Sequence, residues 1–434
     1  MKKFVLMLAS IIGVVAFSTT ASALPVFARQ TGMACSACHF QHFPLLNSFG
    51  RAFKASAFTM IGAQGKVDGD ALSIPNTLNM AVLTTAGYEK SNSDTSSVPN
   101  THNAGDGKFY VPGNTGELSL FIGGRITDNA GFLTEIGAAG PAGLASAKMP
   151  ILFEVLDGTR AGIVPFTTDG LGSSYGFETL NTGANSVHVM SGVGGINDAH
   201  SNALSAQHYI GTGAAATGFA LVASQPIGFI NITKFNQTSA DGSDTAAGLG
   251  STYFRIASTF DLAGWDTGIG MQSWSGRSFN PNFDVGGTAV PGIYFTKALA
   301  FDAQMQGELA GMPVGLYASA ARTPPTSTNG GAAGSAFNYD GTFTRESINF
   351  SGEIGVIPEK ATLGAAIRRA KSGHADSDGN NATDNAIMLV ATYKLAQNMV
   401  ASLSYTHDSG TFWDAANTAA IGSNTTTVNL FTLF

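Results

Sequence analysis

The sequence is short of charge, of cysteine and of long apolar runs. Only 12 % of its 434 residues are charged, about half of the ~25 % found in ordinary soluble domains. Two cysteines exclude a framework of several disulfides, and a net charge of −7 gives no basic surface for nucleic acid. Beyond residue 23 there is no apolar stretch of 18 residues, which excludes a transmembrane helix there.

The first 23 residues have the pattern of a secretory signal. Lys2 and Lys3 form a charged start, residues 4–17 are apolar, and residues 21–23 (Ala-Ser-Ala) form a small-residue cleavage site. An apolar run of 14 residues is too short to cross a bilayer core of ~30 Å. We therefore expect residues 1–23 to be removed on export.

Apolar and polar residues alternate through the rest of the chain. Mean hydropathy is +0.13 although long apolar runs are missing, so the apolar residues must be spread along strands. For example, Phe301, Met305 and Leu309 share one face of a predicted strand, and Asp302 and Glu308 lie on the other. Charged residues in mid-strand indicate a wet lumen on one side and lipid on the other. A soluble β-sandwich also alternates and stays open as an alternative.

Short turns alternate with long loops rich in Gly, Ser, Thr and Asn. The predicted short turns are Asp128-Asn129, Asp157-Gly158, Ala263-Gly264, Gly311-Met312, Pro358-Glu359 and Gln397-Asn398. The predicted external loops lie near residues 88–115, 139–149, 168–204, 236–249, 276–292, 323–342, 371–385 and 408–424. Eight loops predict an all-β, transmembrane outer-membrane β-barrel of about 16 strands over residues 73–434, ending on the aromatic Phe434.

Residues 24–72 differ from the rest and predict a small N-terminal α-helical domain. Leu45, Leu46, Phe49 and Phe53 fall near one face of a helix. So small a domain has too little apolar core to be stable alone and needs a metal, a disulfide or a cofactor.

Both cysteines belong to one motif, Cys35-Ser36-Ala37-Cys38-His39. A c-type haem needs two thiols to add to its vinyl groups and an adjacent histidine to bind the iron. The motif therefore predicts one covalent haem c on Cys35 and Cys38, with His39 as the proximal ligand. A zinc site that also uses His42 and an exported disulfide remain alternatives. A thioredoxin-like site would need a βαβ setting, which the sequence does not have.

The remaining contacts of the haem are open. Met60 follows His39 by 21 residues and is the candidate for the distal iron ligand, with an open or water-ligated site as the alternative. Arg29 and Arg51 are candidates to pair with the haem propionates, or else lie on a solvated surface.

The N-terminal segment resembles the fused monohaem cytochrome–porin family. The resemblance rests on residues 24–39 (LPVFARQTGMACSACH), 43–46 (FPLL) and 49–54 (FGRAFK). It covers about a tenth of the chain, and the barrel matches in architecture alone. The resemblance implies that the Cys-x-x-Cys-His motif is the attachment site of a haem domain joined to an outer-membrane barrel. Members of the family include the outer-membrane Fe(II) oxidases of iron-oxidising bacteria.

This resemblance implies a function in electron transfer across the outer membrane. The protein would oxidise extracellular Fe(II) and pass electrons to a periplasmic c-type cytochrome or another soluble carrier, with the haem domain facing the periplasm or inside the lumen. Asp302 and Glu308 are candidate Fe(II) contacts, or merely line a wet lumen. Outward electron transfer to a mineral, a diffusion porin with a structural or sensory haem, and a soluble periplasmic cytochrome are the alternatives.

Overall fold

The computed structural model describes most of the chain beyond the predicted signal. The described residues are 25–62, 64–70, 72–92, 107–137, 143–183, 198–238, 248–280, 284–285, 288–289, 292–326, 334–339, 341–413 and 424–434. The predicted signal segment, residues 1–23, lies outside them. Among the described residues, no helix has the length and apolar character needed to cross a bilayer.

Sixteen strands of the described residues form a closed barrel. Each strand is antiparallel to its neighbours, and the last strand pairs with the first. The strands are β1 (Met80–Ser91), β2 (Lys108–Pro112, Thr115–Gly116 and Leu118–Arg125), β3 (Gly131–Gly137), β4 (Leu144–Lys148 and Ile151–Leu156), β5 (Thr159–Thr168), β6 (Ala216–Gln225), β7 (Gly228–Asn236), β8 (Ser251–Leu262), β9 (Trp265–Asn280), β10 (Gly292–Phe295 and Ala298–Leu309), β11 (Met312–Thr323), β12 (Arg345–Ile357), β13 (Ala361–Ala375), β14 (Asn381–Thr383 and Asn385–Ala396), β15 (Met399–Ser409) and β16 (Asn424–Leu433). The predicted fold class and strand number are confirmed.

Tight turns join the strands at one end of the barrel, which we call the short-turn end. All six predicted short turns lie there, and an unpredicted one joins Gln225 to Gly228. At Ala310 and Gly311 both residues have positive φ, 52° and 76°, as in the hairpin turns whose twist matches that of the strands. The other connections leave from the opposite, long-loop end. The predicted loop at 371–385 is shorter than expected, because pairing of β13 with β14 extends to Ala375 and Asn381.

The barrel wall is apolar outside and polar inside. On β10 the outward side chain of Phe301 is 51 % exposed, whereas those of Asp302 and Gln304 are 6 % and 1 % exposed. The same alternation recurs on β12, where Phe350 is exposed and Asn349 is buried. The prediction that apolar residues face outward and polar residues face the lumen is confirmed. This arrangement is the reverse of that in a soluble protein, which buries its apolar residues.

Residues 25–62, which we call the N-terminal plug, lie inside the barrel at its short-turn end. The helices of the plug are α1 (Pro25–Thr31), α2 (Cys35–Cys38) and α3 (Ser48–Ala55). Gln41 Nε2 donates to the carbonyl of Pro313 over 2.6 Å, and His42 Nε2 lies 2.6 Å from a carboxylate oxygen of Glu353. Both partners are wall residues of strands that meet the short-turn end.

The helix predicted around Leu45 and Leu46 begins later than expected. Asn47 has an extended backbone and is the N-cap of α3. Its side-chain oxygen accepts a hydrogen bond from the Gly50 N–H over 2.9 Å. Leu46 instead forms an isolated β-bridge with His39. The predicted helix is therefore wrong for the two leucines. Phe49 and Phe53 do lie in α3, but Phe53 is buried whereas Phe49 is exposed.

The connection between β5 and β6 turns into the lumen. Its helices are a 3₁₀ turn (Ser173–Gly176), α4 (Asp198–Leu204) and α5 (Ala206–Tyr209). The Ala206 N–H donates to the Ser319 hydroxyl over 3.0 Å, and the Tyr209 hydroxyl donates to Asp384 over 2.9 Å. Within the predicted external loop at 168–204, the Thr182 hydroxyl donates to Asp302, and the Ala203 carbonyl accepts from Nδ2 of Asn349, each over 2.8 Å. That prediction is therefore wrong for the described part of the loop, because it pairs with the polar inner wall.

Short elements complete the described structure. They are the hairpins Lys66–Gly69 with Leu72–Pro75 and Asp284–Val285 with Thr288–Ala289, and a 3₁₀ helix at Thr411–Trp413.

Candidate cofactor site

The Cys-x-x-Cys-His motif forms a single helical turn. α2 spans Cys35–Cys38, and the His39 N–H donates to the Cys35 carbonyl over 2.9 Å. Side chains three and four positions apart on a helix lie on one side of it. The backbone thus places both cysteines and the histidine on one turn.

The ring of His39 is fixed in orientation. Its Nδ1 lies 3.1 Å from the carbonyl of Leu45, so Nδ1 carries the proton and Nε2 carries the lone pair. Burial lowers the pKa of His39 to about 4, which keeps the imidazole neutral at physiological pH. A neutral histidine held by a carbonyl at one nitrogen is the arrangement in which the other nitrogen binds a metal.

A cavity lies against this turn at the short-turn end. Cys35, His39 and Phe43 line it from the plug, and Lys360 and Lys394 line it from the barrel wall. It has a volume of about 90 Å³, so a porphyrin would fill it and extend beyond it. The two lysines place positive charge in the lining of this cavity, and such cations would suit the carboxylates of a haem. The donor set of this turn therefore fits a covalent haem, whereas the cavity holds only part of one.

The zinc interpretation of the two thiols finds less support. Burial raises the pKa of Cys35 to about 11, partly opposed by the charge of Lys394, and a protonated thiol is a poor zinc ligand and a poor redox nucleophile. His42, the extra ligand that a zinc site would use, bonds to Glu353. Within the described ranges, no group of three His, Cys, Asp or Glu side chains is arranged to hold a metal ion.

The other predicted haem contacts do not line this cavity. The Met60 carbonyl accepts a hydrogen bond from Gln30 Nε2 over 2.7 Å. Arg29 donates to the carbonyl of Met80. Arg51 reaches both carboxylate oxygens of Asp266, each over 2.7 Å. In this structure the two arginines thus bind the plug to the wall, and the assignment of Met60 as distal ligand stays a prediction.

Sequence reasoning missed Lys360 and Lys394. They lie more than 300 residues from the motif and reach the cavity because β13 and β14 close the wall beside it. Each is an ordinary basic residue near a turn, and no local pattern marks either as part of a site.

The lumen holds two clusters of buried charge above the plug. Arg255 donates to Glu178 over 2.9 Å and to Asp302 over 2.6 Å. Arg368 pairs with Asp384 and Asp408. Asp302, predicted as a candidate Fe(II) contact, therefore pairs with an arginine that it shares with Glu178. Glu308, the other candidate, is exposed six positions further along β10, near the short-turn end.

Comparisons with known proteins return barrels of low sequence similarity. No protein-family profile matches the chain, and no curated protein is similar in sequence. The solved structures include a loop-deletion mutant of the outer-membrane protein OmpT of Vibrio cholerae, with a TM-score of 0.47, 9 % identity, and coverage of 82 % of this chain and 99 % of that one. OmpF of Salmonella typhi has a TM-score of 0.47, 11 % identity and coverage of 85 % and 100 %. An anion-selective porin of Comamonas acidovorans has a TM-score of 0.43, 12 % identity and coverage of 82 % and 99 %. At these values the likenesses carry no information about function.

Proposed function

We propose that this protein is an outer-membrane cytochrome–porin that moves single electrons across the outer membrane. It would oxidise Fe(II) outside the cell and pass the electrons to a soluble periplasmic carrier such as a c-type cytochrome. The observation that carries the proposal is the turn of Cys35, Cys38 and His39, held by the plug inside a closed barrel, with Nε2 of the histidine left to bind a metal.

The membrane location is supported by the wall itself. Its outward face exposes large apolar side chains, including Phe301, Leu316, Ile348, Phe350 and Leu389. A continuous apolar surface of this kind is unstable in water and stable against lipid. The polar inner face then lines the lumen.

A charge on this outward face should destabilise the protein in a bilayer. Phe350 is 61 % exposed and points away from the lumen near the middle of β12. We expect Phe350→Arg to lower the free energy of unfolding by roughly 2–4 kcal/mol in lipid vesicles, measured by urea titration. Phe350→Leu is the matched control, and its free energy of unfolding should fall by well under half of that amount. Equal stability of the arginine variant and the control in vesicles would contradict the membrane location.

The residues of the plug have distinct proposed roles. The thiols of Cys35 and Cys38 would each add across a vinyl group, and His39 would bind the iron through Nε2. A bound haem supplies a one-electron couple at its iron. Lys360 and Lys394 would balance the charge of the haem carboxylates. Phe43 packs edge-on against the His39 ring, with centroids 5.3 Å apart, and stacks on Phe431 of the wall. It would therefore shield the histidine from water.

The position of the turn suits exchange with a periplasmic carrier. Cys35 and His39 line a cavity whose other walls include turn residues Glu359 and Asn398, and short turns face the periplasm in bacterial barrels. A soluble carrier could therefore approach this end without crossing the lumen. The direction of flow and the identity of the donor depend on potentials and partners.

Stopped-flow absorbance tests the iron reaction directly. We expect oxidised, detergent-solubilised protein to show rapid reduction of its haem bands when mixed with Fe(II). A haem that stays oxidised with Fe(II) but is reduced by dithionite would remove Fe(II) as donor. Electron transfer to an extracellular acceptor would then be the direction to examine.

A second candidate function is a diffusion channel. The polar inner face of the barrel wall is of the kind that lines a path for ions. Against it, the plug and the β5–β6 connection both occupy part of the lumen. Large steady conductance in planar bilayers, unchanged by loss of the cysteines, would favour this candidate over electron transfer.

A further inference from the structure

The outer surface of the barrel has a groove near its long-loop end. It crosses β10 to β14 and has a volume of about 560 Å³. Phe301 and Ile348 form its apolar sides, and three basic residues lie along it, namely Arg322, Arg369 and Lys371. All three basic side chains point outward and are exposed. Nothing in the electron-transfer proposal uses this region.

A small side chain opens the groove. Phe301 of β10, Ala320 of β11 and Ile348 of β12 lie side by side in register. Alanine between two large apolar residues leaves a trough in the wall, wide enough for hydrocarbon to pack against.

The charge along the groove is positive and only partly neutralised. Arg322, Glu346 and Lys371 lie side by side on β11, β12 and β13. Glu346 is 3.8 Å from Lys371. In the part of the chain that the structure describes, no carboxylate oxygen lies within 4.0 Å of Arg322 or Arg369. Three cations beside one carboxylate favour the binding of an anion. The planar guanidinium groups match the spacing of the oxygens of a phosphate.

The depth of these residues matches a membrane interface. Arg322 lies ten residues beyond Met312, the first residue of β11. At ~3.3 Å per residue and a strand tilt of ~40°, that places it about 25 Å above the short-turn end, the height of the apolar band of such barrels. The cations therefore lie where lipid headgroups begin, and the apolar trough lies beside acyl chains.

We propose that this groove binds a phosphorylated lipid of the leaflet on the long-loop side. Arg322, Arg369 and Lys371 hold the phosphate, and the trough over Ala320 takes an acyl chain. The proposal rests on the membrane location proposed above and is independent of the haem.

The test uses full-length protein in nanodiscs of phosphatidylcholine that contain a small fraction of lipid A. Native mass spectrometry measures how much lipid A stays bound when the discs are dissolved in mild detergent. We expect Arg322→Gln with Arg369→Gln to retain about tenfold less lipid A than the wild type, through loss of charge-assisted bonds. Lys234→Gln with Arg277→Gln removes the same charge from outward, exposed positions on β7 and β9 outside the groove, and should change retention less than twofold.

Several outcomes decide the matter. Equal retention by both double variants overturns the proposal. Displacement of lipid A by millimolar inorganic phosphate would identify a free-anion site and would overturn it too. Loss of retention when the lipid lacks its phosphates supports it. Failure of the wild type to enter nanodiscs would overturn the membrane location as well, whereas insertion without selective retention overturns this inference alone.

Discussion

Replacing Cys38 by alanine is expected to leave a barrel in the membrane that carries no covalent haem. The side chain of Cys38 lies on the same helical turn as Cys35, and both thiols are needed to attach the two vinyl groups. Haem staining on a denaturing gel should fall from a clear band to background. The strand ladders do not involve α2, so the heat-modifiable mobility of the barrel should be unchanged.

Two further variants sharpen this result. Cys35→Ala with Cys38→Ala removes every thiol in the chain and should also give no stain. Ser36→Ala changes an exposed residue between the two cysteines. This variant should give the same haem stain as the wild type. A stain that survives loss of both thiols would end the assignment as a c-type cytochrome and leave a barrel of another function.

Replacing Arg255 by methionine is expected to destabilise the barrel by roughly 3–5 kcal/mol, the cost of leaving buried carboxylates without their cation. Arg255 is 0 % exposed and joins Glu178, on the inward β5–β6 connection, to Asp302 on β10. Its removal leaves two carboxylates facing each other away from water. The shift in the temperature or urea concentration at which the compact band is lost on a gel measures the effect.

A triple variant separates charge from packing. Arg255→Met combined with Glu178→Gln and Asp302→Asn keeps the shapes of the side chains and removes the charges. We expect it to recover most of the lost stability, because no buried charge remains unpaired. Equal instability of the single and triple variants would show that packing around Arg255, including its contact with Phe229, matters more than its charge.

The barrel could be predicted from sequence because its rule is local. A strand with lipid on one side and water on the other must alternate along its whole length, as β10 does from Phe301 to Leu309. Most of its tight turns also carry Gly, Asn or Asp, which tolerate positive φ. The missed turn between β6 and β7 has Pro226 and Ile227 at its centre, which lack that signal.

The contents of the lumen could not be predicted in the same way. The β5–β6 connection is rich in Gly, Ser, Thr and Asn and so resembles an external loop, yet Tyr209 and Glu178 are buried against the wall. Whether such a segment turns inward depends on partners such as Asp384 and Arg255, which are distant in sequence. The common turn of Cys35, Cys38 and His39 could be predicted because these residues are neighbours in sequence. Lys360 and Lys394 join the cavity only through closure of the wall.

The plug also bears on how the barrel is sealed. β1 and β16 are paired from Ser91 with Thr425 to Leu83 with Leu433, the longest separation along the chain of any pair of neighbouring strands. Arg29 holds the first strand of this seam through Met80, and Phe43 stacks on Phe431 of the last. The plug precedes every strand in the chain, yet it contacts both strands of the β1–β16 pairing. That pairing closes the barrel and needs both ends of the wall to be present. If the plug left the lumen, β1 would lose its hydrogen bond from Arg29 and β16 would lose its stacking contact with Phe43. Movement of the plug is therefore coupled to the stability of the β1–β16 pairing.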